Sequence, residues 1–240
     1  MTDQEMIKLA SKAKILGILK VIETYCGNKC YLISKSKEEH LLLIPSNVRI
    51  LNNSMGDVNE FCFTKHISKV LGTLKVIGGY GLLDCTAMFR LCNFTELDLS
   101  ELDTSEVMTM SEMFRNSRIK NLILGDFNTL YVEDMSYMFS DCIIPEINLS
   151  TFSTYYVKDM GYMFDHCSTY DLVFDSFNTA SVTDMECMFN ECSARIIDLS
   201  SFSVTDRVCI TNMFTNCSGD VRISNPIIYK EYIYREQTNW

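Results

Sequence analysis

Three histidines, eleven cysteines and 31 carboxylates are the side chains of this chain best able to ligate a metal, attack an electrophile or move a proton. Their spacing assigns them to none of those tasks. His40, His66 and His166 lie in unrelated parts of the chain with no nucleophile signature beside them. Cys26 and Cys30 are too far apart for a CxxC redox or zinc pair. Gly78-Gly79-Tyr80-Gly81 is glycine-rich but lacks the Lys-Ser/Thr of a phosphate loop, and reads as a turn. No GxSxG and no HExxH is present. The expectation is a protein without enzymatic activity, metal or cofactor.

The cysteines have a simpler reading. Cys92, Cys142, Cys167, Cys192 and Cys217 share one phase of a repeat, and Ser117 fills the missing step. A position that accepts Cys or Ser suits a small buried side chain better than a ligand, so these residues are expected to be reduced, inward-facing and cytoplasmic. The fourteen methionines read the same way, as core filler.

The elements that position these residues follow from the repeat. Met-Phe begins at Met88, Met113, Met138, Met163, Met188 and Met213, each 25 residues after the last. Such a period marks stacked units that cannot bury their apolar faces alone. Met135, Met138, Phe139 and Cys142 sit at i, i+3, i+4 and i+7, which predicts about two turns of helix. Asp84, Asp134, Asp159 and Asp184 stand where such a segment begins and can accept orphan backbone N–H groups. Leu97/Leu99, Leu122/Leu124, Ile147/Leu149, Leu172/Phe174 and Ile197/Leu199 alternate with polar residues, the signature of a strand with one buried face. The fold class is therefore an α/β solenoid: a leucine-rich-repeat-like parallel sheet with short helical turns behind a small α+β N-terminal cap. Further interior files are Leu102, Phe127, Phe152, Phe177 and Phe202, and Val107, Val132, Val157 and Val182.

Residues 1–75 are expected to form the cap: a helix over Asp3–Val21, apolar runs Tyr31–Ser34 and Leu41–Ile44 stopped by Pro45, a helix over Asp57–Val70, and an unpaired strand at Leu74–Val76 that starts the stack. Residues 76–224 form the six-coil solenoid. Residues 225–240 form a C-terminal cap strand, read from the alternation over Ile227–Tyr234.

The motif D-M-S-Y-M-F-S-D-C followed by I-N-L-S-T-F, from Asp134, and D-M-E-C-M-F-N-E-C-S followed by I-D-L-S-S-F, from Asp184, resembles the BspA-like leucine-rich repeats of bacterial surface proteins over about residues 82–224. Members are taken to be surface or secreted adhesion and interaction proteins. The resemblance implies a repeat scaffold whose business is protein recognition.

Charge and exposure then suggest where a partner sits. Residues 1–80 carry 11 basic and 7 acidic side chains, whereas residues 81–220 carry 7 and 22. An acidic array repels nucleic acid and attracts a basic protein. The outward strand positions Glu96, Asp98, Glu146, Asn148, Asp171 and Asp198 form an acidic strip on the concave face. Tyr131 and Tyr156 share one phase, and Tyr137 and Tyr162 another; both exchange with polar residues in other coils, so these tyrosines are expected to be exposed. Three functions fit: a cytoplasmic binding module for a basic partner protein, an inhibitor from a mobile element that mimics nucleic-acid charge, or an adhesin as in the resembling family. No segment reads as a secretory signal or a membrane span, and no membrane partner is expected.

Overall fold

The computed structural model describes residues 1–23, 28–51, 67 and 70–238. It is a solenoid with parallel strands, and the six Met-Phe pairs lie in single interior files with every member buried. Phe89, Phe114, Phe139, Phe164, Phe189 and Phe214 stack in sequence at centroid spacings of 5.2–5.8 Å. A second aromatic file, Phe127, Phe152, Phe177 and Phe202, runs beside them at 5.9–6.4 Å. The valine and cysteine files are buried as well, with Ser117 at the expected step.

Helix α1, Asp3–Ile15, begins with a capping box between Thr2 and Glu5. It was expected to reach Val21 and stops at Ile15 because Gly17, at φ 69°, closes it. The Gly17 N–H bonds the Lys14 carbonyl and the Ile18 N–H bonds that of Ala13, the Schellman pattern. The released residues form strand β1, Leu19–Glu23, which pairs antiparallel with β2, Lys29–Ser34, and β2 pairs antiparallel with β3, Glu39–Ile44.

Strand β4, Thr73–Gly78, is not unpaired. It lies parallel between β3 and β5, Asn93–Leu102, which in turn pairs with β6, Arg118–Ile123. The pairs Glu39↔Thr73 and Ile50↔Asp84 share one offset, so the chain enters the stack a coil earlier than residue 76, through a longer coil. Cap and array therefore share one sheet, ordered β1 to β6. The helix expected over Asp57–Val70 lies outside the described residues except for Ile67 and Val70, which are buried.

The Met-Phe segment is turned, not a regular two-turn helix. Met113, Arg115 and Ser117 donate to the carbonyls of Met110, Glu112 and Phe114, while the alternate residues Met110, Glu112, Phe114 and Asn116 donate to carbonyls of the next coil. That alternation needs left-handed residues, found at Glu112 and Asn116 and at the same two phases in every coil from Ala87 and Leu91 to Asn212 and Asn216. Asp84, Asp134, Asp159 and Asp184 each accept the N–H two residues on, at 2.8 Å, as their position suggested.

Strands β7, Asp171–Val173, β8, Ser193–Leu199, and β9, Ser218–Ile223, form a second parallel sheet. The break falls at the coil containing Pro145. Tyr170 and Arg195, at the same phase, donate their N–H groups to the preceding coil, and proline has none to give. The end of the chain is corrected from a strand to helix α2, Pro226–Thr238. Asn225 caps it by accepting from the N–H groups of Ile227 and Ile228, and Pro226 occupies the first helical position. Ile228 is buried and Tyr232, four residues on, meets Phe214 edge-on at 5.5 Å, so α2 closes the last coil.

Candidate functional site

Strand residues turn into the Met-Phe segment at a corner where each coil presents two outward positions. At these phases Tyr131 and Tyr156 stack at 6.3 Å, and Tyr155 meets Tyr156 edge-on at 4.9 Å. Their exposures are 53%, 46% and 55%, with Leu130 and Met108 also exposed nearby in phase. These rings pack against one another and stand about half-exposed. Tyr155 and Leu130 were not singled out from sequence, although the dipeptide Tyr155-Tyr156 and its same-phase neighbour Leu130 carry the signal.

Tyr137 and Tyr162 do not join that corner. They occupy left-handed positions of the turn segment, stack at 4.7 Å and are half-buried where exposure was expected. The Arg115 guanidinium lies 4.8 Å over the Tyr137 ring and pairs with Glu112, which also pairs with Arg90. A hydrogen bond to Cys187, with some burial, raises the Tyr162 phenol well above its ordinary value. Burial likewise raises that of Tyr137, outweighing the opposing charge of Arg115. Both phenols are therefore neutral at ordinary pH.

The acidic strip is largely neutralised within the fold. Glu96 accepts a hydrogen bond from Asn121 at 2.8 Å. Asp98 pairs with Lys75 at 3.1 Å and accepts from the Ser100 hydroxyl and N–H. Burial pulls its pKa up, and these bonds outweigh that and lower it. Arg195 binds Asp171 through two nitrogens and lowers its pKa. Asp198 is lowered by Ser200 first and then by Arg222, 3.5 Å away. Asn148 accepts from the Ser150 N–H, and Glu146 stands exposed. Lys75↔Asp98 and Asp198↔Arg222 are cross-strand partners, which reading the repeat at a uniform 25-residue step does not pair.

The remaining reactive groups are engaged. His40 bonds Ser34 and the Lys37 carbonyl; His66 and Cys26 lie outside the described residues. Burial pushes the Cys142 thiol up to about 11 and that of Cys30 to about 12, and raises Cys92, Cys167 and Cys192 further, so none is a ready thiolate at neutral pH. Asp184, Glu186 and Cys209 offer ligand atoms within 4.8 Å of one another, but Asp184 accepts from the Glu186 N–H and the Cys209 thiol donates to the Thr211 hydroxyl.

His166 contributes to cohesion between coils. Its Nδ1 is 2.9 Å from Asp165 and its Nε2 3.1 Å from Glu191 of the next coil. Burial disfavours the imidazolium, yet the two carboxylates outweigh it and raise the pKa above the ordinary 6.5. A raised folded value means that the contribution is complete below about pH 6.5 and fades as pH rises through the folded pKa. His166→Gln should thus cost a few tenths of a kcal/mol near pH 6, small because the ring is exposed, and progressively less as the pH rises through the folded pKa. Urea midpoints of both proteins across that range check it; a pH-independent difference would rule it out.

A family model described as "Mycoplasma protein of unknown function, DUF285" matches residues 83–202 and 144–222, together more than half of the chain. Neither the curated proteins nor the solved structures contain a match. No helix among the described residues is long and apolar enough to cross a membrane.

Proposed function

The chain belongs to the DUF285 family, and from its geometry we propose that it is a non-enzymatic protein-interaction module whose partner binds at the tyrosine corner of the central coils. The observation that carries this reading is the stacked, half-exposed pair Tyr131 and Tyr156 with Tyr155 set edge-on against it. Tyrosines already ordered by their neighbours lose little freedom on binding and offer both apolar area and a hydroxyl, the profile of an interface hot spot. The stack sits on rungs whose interior is fully packed, so the surface is preorganised. The likeness to BspA-like repeats supports recognition over catalysis, and the buried thiol file suits a cytoplasmic location.

A basic partner remains the better match to the array, since 22 acidic side chains against 7 basic ones over residues 81–220 speed its approach. Direct mimicry of nucleic acid draws less support, because Asp98, Asp171 and Asp198 already hold internal cations. The test is affinity capture followed by titration of the purified partner. Tyr131→Ala/Tyr156→Ala should weaken binding by about 30-fold or more, whereas Asp98→Asn/Asp198→Asn changes it by less than about threefold. The reverse ranking would move the site to the concave strip, and steep competition by DNA would favour the mimic.

A further inference from the structure

Composition argues against a membrane partner, but the placement of side chains on α1 argues for one kind. The helix buries Met6, Ala10 and Ala13, which turns the opposite side outward. There Ile7, Ser11 and Ile15 follow at i, i+4 and i+8 and form one stripe, with Lys8 and Lys12 on one flank and Lys14 on the other. Ile15 is 86% exposed and its neighbour Leu16 is 62% exposed, so two aliphatic side chains stand in water where Gly17 ends the helix. Single exposed apolar residues are ordinary; a run of them framed by lysines is not.

The surface continues beyond the helix. Ile7, Lys14, Val21, Lys29 and Tyr31 line a shallow cleft of about 440 Å³ between α1 and the edge of the sheet, where Glu23 is the one carboxylate in the lining. The acids of α1, Asp3 and Glu5, lie in its first turn, at the end of the helix away from Ile15 and Leu16. The exposed face is therefore apolar and cationic at once.

We propose that this face docks peripherally on an anionic lipid bilayer, with the lysine ammonium groups among the lipid phosphates and Ile15 and Leu16 below them. Long lysine stems lie along apolar surface while their heads reach the charge, and a single helix of this kind gives reversible binding in the plane of the interface. The same surface potential repels the acidic coils, so the molecule would stand with its N-terminal unit on the lipid and its array held away. This inference is independent of the tyrosine corner.

Sedimentation of the full chain with vesicles tests it. Vesicles of phosphatidylcholine with phosphatidylserine should pellet the protein, and phosphatidylcholine alone should not. Lys8→Glu/Lys12→Glu should lower partitioning roughly 20-fold or more, as should high salt in part. Ile15→Ser/Leu16→Ser should remove pelleting with the circular dichroism spectrum and melting curve unchanged, because both side chains project into water. Equal pelleting with both vesicle types, or with neither, overturns the proposal. So does a change from dimer to monomer in Ile15→Ser/Leu16→Ser by sedimentation velocity, which would assign the patch to a second copy of the chain.

Discussion

Phe139→Ala should lower the stability of the array by about 3–5 kcal/mol, the largest loss expected from any single truncation of its interior. The ring is fully buried and packs between Phe114 at 5.2 Å and Phe164 at 5.4 Å. Its removal opens a cavity that neither neighbour can fill, since each is fixed by its own coil. Two stacking contacts disappear together, each worth about 0.5–1.5 kcal/mol beyond the apolar area lost. Urea unfolding followed by circular dichroism reads the effect, with Tyr131→Ala as the exposed control, expected to stay within about 1 kcal/mol of the unaltered protein. A midpoint for Phe139→Ala equal to that of the control would show that the phenylalanine file does not bear the load assigned to it.

Gly78→Ala should be nearly as damaging, at about 3 kcal/mol or more, for a different reason. Gly78 closes β4 at φ 104°, in a region that residues with a side chain rarely enter, and a Cβ there would lie 2.2 Å from the Ile44 carbonyl oxygen. That oxygen belongs to the backbone of β3 and receives the Gly79 N–H at 2.9 Å, so it cannot retreat without unpairing the strands. The loss should appear first as faster amide exchange in β1 to β4, ahead of the phenylalanine files. Gly17→Ala supplies the contrast: φ is 69°, but nothing lies within 4 Å of the added Cβ, and the cost should be only about 1 kcal/mol. Similar losses in both variants would mean that backbone strain, and not the close approach of β3, sets the effect at Gly78.

Much of this architecture was legible because one coil repeats its interior requirements every 25 residues. Met113 and Phe114 recur unchanged and Ser117 takes the step that Cys holds in the other coils, so phase alone places them inside, and all three are buried. The local conformation of the same segment was not legible, because two consecutive four-residue turns bring i, i+3, i+4 and i+7 to one side just as a helix does. Only the backbone angles at Glu112 and Asn116 separate the two. At the C-terminus the alternation of Ile227–Tyr234 suits a strand, but the spacing Ile228 to Tyr232 suits a helix face equally, and Asn225-Pro226 is a helix start signal that decides between them. Gly17 was an equally readable stop inside the longer helix expected at the N-terminus.

The candidate site was half legible. The tyrosine pair at 131 and 156 emerged from tolerance of polar substitution, and the same reasoning overestimated Tyr137 and Tyr162, which a stack and Arg115 hold half-buried. The acidic strip was visible in the outward strand positions, and Arg222 falls in the same column as Asp198; the Lys75 partner of Asp98 was not visible, because the step between those strands departs from 25. Lys75 faces Asp98 and Arg222 faces Asp198, offsets that local departures from the repeat create.

The turn segment hands its alternate N–H groups forward to the following coil in the same manner from Ala87 to Glu191, whichever coil is considered. A duplicated stretch of gene encoding one such unit would arrive with donors that fit the unit ahead and acceptors that fit the unit behind. Array length is thus a trait that recombination can lengthen or shorten in whole steps, leaving the two ends and their separate contacts untouched.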